Sequence, residues 1–150
     1  MRVVIQRVKY AEVIIDGKEK KYSGKGLLIL LGIEIADEIN DVKWLVNKIL
    51  NLRIFNDKIG VMNQSILDTK GELMIISQFT LMAKTKKGNR PSYIRAASHE
   101  HAIPLYNSFI EYSQKYLTKP VVSGKFGSDM QIELINDGPV TIWIDSKNRE

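Results

Sequence analysis

Two short runs hold more hydrogen-bonding and backbone-shaping residues than their neighbours require. The first is Ser77-Gln78-Phe79-Thr80-Leu81, which follows the apolar stretch Leu73-Met74-Ile75-Ile76 directly. A hydroxyl or amide buried there without a partner is unfavourable by a few kcal/mol. Strand alternation predicts Ser77, Phe79 and Leu81 inward, with Gln78 and Thr80 at solvent; the competing reading is a polar site at a strand end. The second run is Asn136-Asp137-Gly138-Pro139-Val140-Thr141, rich in turn formers, which reads as a hairpin turn between two strands. Gly138 has no Cβ, so other atoms can approach its backbone closely. Pro139 sets its own φ and permits a cis bond before it, although only about 5–6% of X-Pro bonds in folded proteins are cis. By itself the sequence favours trans.

Much familiar chemistry is excluded by what the chain lacks. It has no cysteine, which removes disulfides, thiolate nucleophiles, Fe–S clusters and cysteine zinc sites. Its two histidines, His99 and His101, sit at alternate positions of an expected helix, where side chains diverge by about 200°. They read as a solvated helix start, so no metal and no cofactor is expected. Asp37, Glu38 and Asp41 precede or open another helix, where the dipole favours negative charge, and read as caps. Gly24-Lys25-Gly26 lacks the spacing and the following helix of a phosphate loop.

The 22 Lys and Arg against 17 Asp and Glu leave a net charge of +5. That excess suits a polyanionic partner, and it equally suits a solvated surface. The longest apolar run, Gly26 to Ile33, is far short of the roughly twenty residues of a membrane span. Arg2, Arg7 and Lys9 interrupt any secretory leader, so a cytoplasmic chain is expected.

The elements that must position the two runs follow from periodicity. Strands are expected at Arg2 to Lys9 and at Tyr10 to Asp16, with an Asp16-Gly17 turn into a short strand near Lys18 to Ser23. Gly26 to Ile33 reads as a fully buried strand. Asp37 to Asn51 places Ile39, Val42, Leu45, Val46, Ile49 and Leu50 on one helical face. Leu52 to Phe55, a turn at Asn56 to Gly60, a strand at Leu73 to Leu81 and a basic loop from Lys84 to Arg90 come next. A second helix is expected over His99 to Leu117, with Ser98 at its N-cap; Pro104 inside it implies a later start or a bend. Strands near Pro120 to Val122, Met130 to Ile135 and Val140 to Asp145 close the chain. The expected architecture is a single α+β domain over residues 1–150. Mostly antiparallel sheets form a barrel-like sandwich of about eight strands, with two main helices.

The two runs together resemble the signature pair of the D-aminoacyl-tRNA deacylases. Further matches are Met1 to Val8 with Ile5-Gln6-Arg7-Val8, Leu27 to Gly32, Arg53-Ile54-Phe55, Lys87-Gly88-Asn89-Arg90-Pro91-Ser92 and Gly124-Lys125-Phe126-Gly127. The resemblance covers essentially the whole chain; Pro104, and Tyr93 where phenylalanine is common, depart from it. It implies a homodimer that hydrolyses the ester joining a D-amino acid to the 3′-terminal adenosine of tRNA, and also removes glycine mischarged on alanine tRNA. Neither membrane nor DNA is an implied partner. Gly138 and Pro139, joined by a cis bond, would reach from one subunit into the other's pocket and reject L-residues, with Arg7 bracing the partner's segment.

Thr80 is the implied nucleophile. With no base beside it, however, orientation and oxyanion stabilisation near Gln78 and Phe79 carry the reaction better, with Ser77 and Thr80 ordering the pocket. Phe126 and Met130 are candidates to flank the terminal adenine, and Lys84, Lys86, Lys87 and Arg90 to meet tRNA phosphates. The alternative is a non-catalytic basic RNA-binding module; a metal hydrolase lacks ligands.

Overall fold

Burial alternates along β1 (Arg2–Ile15), but its parity slips near the middle: Val3, Ile5 and Arg7 are buried, then Val8, then Ala11, Val13 and Ile15. The slip exchanges one core for another. In this computed structural model, which describes residues 1–150, Val3 and Ile5 belong to a core shared with the helices. Val8, Ala11, Val13 and Ile15 belong to a second core on the opposite side of the sheet. What the periodicity divides into two strands at Lys9 and Tyr10 is therefore one bulged strand.

β2 (Glu19–Ser23) and β3 (Gly26–Gly32) pair antiparallel with different halves of β1, and β6 (Glu72–Ser77) runs parallel to β3, followed by β7 (Val122–Ser123). Between β3 and β6 lie α1 (Ile39–Asn51), a small hairpin of β4 (Phe55–Asn56) and β5 (Met62–Gln64), and the short α2 (Ile66–Thr69). Leu27, Ile29, Leu31, Leu73 and Ile75 face the helix-side core; Leu28, Met74 and Ile76 face the other. Strands buried on both faces explain the unbroken apolar runs. The sheet curls until β2 meets β7, where Lys21 Nζ donates to the Ser123 carbonyl at 3.1 Å. The result is the expected barrel-like α+β architecture, with a mixed rather than purely antiparallel sheet.

α1 and α3 (His99–Gln114) cover the first core through Val42, Leu45, Val46, Ile49, Ala102, Tyr106 and Phe109. α3 runs through Pro104, whose missing N–H leaves the Glu100 carbonyl at the exposed helix start without its partner. Glu38 and Asp41 form a capping box on α1, as expected of caps. Asp37 has a different task. It is fully buried, takes the Met1 amino group and accepts from the Glu34 N–H at 2.7 Å. His101 meets the Asp37 carbonyl at 2.9 Å and His99 packs edge-on against Phe126, so neither histidine is merely solvated.

Two expectations about strand ends are corrected. The final strand, β8 (Met130–Asp145), is continuous along β1, so Asn136 to Thr141 is not a hairpin turn. The strand expected over Leu73 to Leu81 stops at Ser77 and tightens into a 3₁₀ turn, Phe79–Met82.

Glu72, at the start of β6, accepts from the Gly24 N–H at 2.7 Å and from Lys119 at 2.9 Å. The Gly24 bond, and after it Lys119, hold its carboxyl below the ordinary 4.5. A depressed carboxylate contributes stability that is complete above pH 4.5 and fades as pH falls through the folded value. Glu72→Gln is therefore expected to lower Tm at pH 7 by about 2 °C, with the gap to wild type closing on acidification below that window. Thermal melts across pH 2 to 7 (roughly the span of carboxylate titration) check it.

Candidate active site

Ser77 pairs across to Leu31, and the next N–H, that of Gln78, donates to the Leu31 carbonyl at 2.7 Å. The chain then bends sharply over Gly32. A Cβ on Gly32 would stand 2.9 Å from the Gln78 carbonyl oxygen and from Leu81 Cβ, so only glycine admits the turn this close. Gln78 Nε2 donates to Thr80 Oγ1 at 2.5 Å. The N–H groups of Phe79 and Thr80, the first two of the turn, have no acceptor in the chain. Alternation fails here because the backbone is no longer a strand: Phe79, expected inward, is 54% exposed.

Two adjoining hollows open at the carboxyl ends of the parallel strands β3 and β6. One, of about 240 Å³, is lined by Ser77, Gln78 and Phe79 with Gly127, Met130 and Ile132. The other, a small recess, sets the same three residues against Ala97, Ala102 and Phe126. Phe126 is fixed edge-on by Tyr106 at 5.7 Å and His99 at 5.5 Å. Met130 fits because Gly124 leaves room: a Cβ there would lie 2.4 Å from its sulfur. Thus Ser77, Gln78 and Phe79 line both hollows, Met130 one and Phe126 the other, whereas Thr80 lies behind the Gln78 amide and lines neither. No Asp, Glu, His, Lys or Arg side chain lines either hollow. Behind Phe126, burial pushes the pKa of the Tyr106 phenol far up while its hydroxyl donates to the Ile75 carbonyl.

Gly138 and Pro139 lie elsewhere. Gln6 pairs with Thr141 and Val8 with Asn136, so Asp137 to Val140 bulge out opposite Arg7 alone. Gly138 has φ +133° and its bond to Pro139 is cis; both residues are exposed. Beneath them the buried Arg7 donates from Nε to the Asp137 carbonyl at 2.9 Å and from Nη1 to the Ile54 carbonyl at 2.5 Å. Arg7 therefore holds the Asp137 carbonyl, and with it the Gly-Pro segment, of its own chain. Measured along the curled sheet, three strand spacings and four residues separate Gly138 from Ser77, a path of about 20 Å. One chain does not bring its two motifs together.

A side-chain clamp that strand periodicity does not announce fixes this bulge. Asn136 Nδ2 donates to Gln6 and to Thr141 Oγ1, its Oδ1 accepts from the Val140 N–H at 2.8 Å, and the Thr141 hydroxyl donates to Gln6. An asparagine capping its own backbone a few residues on is a known turn device, so Asn136 was the available signal.

A curled mixed sheet with helices on one face is a fold with solved members. A structure described as a probable eukaryotic D-amino acid tRNA deacylase shares the fold, with TM-score 0.84 over 95% of this chain and 97% of its own at 16% identity. Another, described as c-Myc DNA unwinding element binding protein, has TM-score 0.91 and 41% identity over 97% of this chain and 98% of its own. The sequence model of the D-Tyr-tRNA(Tyr) deacylases matches residues 4–145. The D-aminoacyl-tRNA deacylases of Parabacteroides distasonis and Flavobacterium psychrophilum are 58% and 59% identical over all 150 residues, the whole of either chain. The chain belongs to the D-Tyr-tRNA(Tyr) deacylase family. Its activity is that of a hydrolase acting on D-aminoacyl-tRNA.

Proposed function

We propose that the hollow at Ser77–Phe79 cleaves the ester between a D-amino acid and the 3′-terminal adenosine of tRNA, and that a second copy of the chain completes it with Gly138 and Pro139. The observation that carries this reading is the exposed, clamped Gly-Pro bulge, which lines neither hollow of its own chain and lies about 20 Å away along the sheet. A stiff main-chain element presented outward is suited to a site it does not itself contain. Its carbonyls would accept from the substrate's α-amino group, and an L-residue would drive its Cβ into the bulge. Glycine has no Cβ, so glycine mischarged on alanine tRNA would be cleaved as well. We also infer that residues 1–150 act as one domain, working as a homodimer in the cytoplasm.

The unpaired N–H groups of Phe79 and Thr80 are the donors best placed to meet a developing oxyanion. Phe126 and Met130 would flank the terminal adenine, and Ser77 and Gln78 would order the turn. Thr80 Oγ1 accepts from Gln78 and has no base beside it, so it is a poor nucleophile. The aminoacyl ester is already reactive, and the neighbouring ribose 2′-hydroxyl can position water. Thr80→Ala is therefore expected to slow single-turnover deacylation by about tenfold or less, against the thousandfold or more of a lost nucleophile. A 2′-deoxy terminal adenosine should react poorly with wild type. A trapped Thr80 acyl-enzyme would overturn this assignment.

The deciding experiment incubates the protein with D- and L-tyrosyl-tRNA, with and without chelator. Release of D-tyrosine alone, indifferent to chelator, is expected. An RNA-binding module would release neither amino acid, and a metal hydrolase would stop in chelator.

A further inference from the structure

Between Glu72 and Glu100 the chain contains no Asp or Glu, yet it carries Lys84, Lys86, Lys87, Arg90 and Arg95. Arg95 is spent on Glu34, which docks the following segment along Ile33 to Ile35. The other four project from a small hairpin: the Lys84 N–H donates to the Ser92 carbonyl at 2.8 Å, the Ser92 N–H returns at 3.0 Å, and Gly88 turns the tip at φ +65°. All four are exposed, and the ion pairs of the chain lie elsewhere. At the base of this flap Tyr93 meets Phe79 edge-on at 5.0 Å, with 37% and 54% of their surfaces open. Phe79 also lines the hollow, so the flap and the reacting site share a wall.

We propose that this flap grips the phosphates of the single-stranded 3′ end of tRNA and that the Phe79–Tyr93 pair stacks one of its bases, leading the strand into the hollow. The choice of RNA rests on the deacylase reading; the surface chemistry stands on its own. Four uncompensated cations on one flap repel each other and gain by meeting a polyanion. Exposed aromatic faces beside such a cationic flap recognise unpaired bases, which a duplex does not offer. A single strand is therefore the occupant that uses both features.

The two features leave different signatures. Four single-strand phosphate contacts give a salt slope of about −2.8, or about 50-fold weaker binding from 50 to 200 mM salt. Stacking shifts affinity without changing that slope. The test is fluorescence anisotropy with a labelled hexaribonucleotide ending in CCA, titrated against wild type, the quadruple variant Lys84→Ala/Lys86→Ala/Lys87→Ala/Arg90→Ala, its charge-keeping counterpart with Lys84→Arg, Lys86→Arg and Lys87→Arg, and Tyr93→Ala. The quadruple variant should lose most of the slope while keeping its Tm, and the charge-keeping variant should bind like wild type. Tyr93→Ala should weaken binding about tenfold at an unchanged slope. Equal binding by wild type and the quadruple variant, or equal preference for a duplex of the same length, overturns the proposal. If the flap variants behave as expected but wild type leaves D-tyrosyl-tRNA intact, the deacylase reading fails and the flap remains an RNA grip.

Discussion

Gly138→Ala is expected to reduce cleavage of D-tyrosyl-tRNA by about a hundredfold and to erode the preference for D over L, with the fold retained. At φ +133° an L side chain is strained wherever it points. Here it would also stand 2.9 Å from Arg7 Nη2 and 2.9 Å from Val140 Cγ2. Neither neighbour yields easily: Arg7 is tied to two carbonyls, and Val140 is fixed through its N–H by Asn136. The backbone must move instead, at a cost of about 1–3 kcal/mol. A shift of the order of 1 Å in a positioning element lowers a rate by about 10². Single-turnover deacylation together with a thermal melt separates the two effects. A companion variant, Gly32→Ala, should be equally inactive for another reason, since its Cβ would push the Gln78–Leu81 turn out of place. Co-expressing the two variants should return about a quarter of wild-type activity, because half of a statistical mixture is hybrid and each hybrid dimer holds one hollow and one bulge that are both intact. No return of activity would mean that hollow and bulge act within one chain.

How far the residues announced this arrangement depends on the length scale of the signal. The apolar runs Gly26–Ile33 and Leu73–Ile76 were legible because strands buried on both faces need nothing but continuous hydrophobics. The helical face of Val42, Leu45, Val46 and Ile49 was legible for the same local reason. What periodicity could not reveal is a strand that changes cores. The burial slip at Arg7 and Val8 looks like a boundary until both sides are seen to pair with one continuous β8. The Asn136–Thr141 run reads as a turn for the same reason, since a large bulge and a hairpin turn draw on the same turn formers. At Ser77–Leu81 the alternation was overruled by a residue far away in sequence, Gly32, whose bare Cα lets the turn close over it. The candidate residues were found by type, and their division into two separate surfaces came only from register.

Arg7→Met should be the other severe change. Methionine keeps the volume and removes every donor, which leaves the Ile54 and Asp137 carbonyls under a side chain only 8% exposed. Hydrogen bonds to a charged donor are worth about 1.5–3 kcal/mol each, so a loss of about 3 kcal/mol and of about 10 °C in Tm is expected. Arg7→Lys recovers less than half of that, because one ammonium cannot span both carbonyls as a planar guanidinium does. Below its melting point the Met variant should still lose tenfold or more in D-tyrosyl-tRNA cleavage, with the D-to-L ratio narrowed. A purely structural role would leave that ratio unchanged in the folded fraction. Mixing experiments also locate the effect. Arg7 holds the bulge of its own chain, so an Arg7→Met chain should complement Gly32→Ala as Gly138→Ala does, while Arg7→Met and Gly138→Ala should fail to complement each other. Were Arg7 instead bracing the partner's segment, that last pair would form one intact bulge over one intact hollow, and its activity would return.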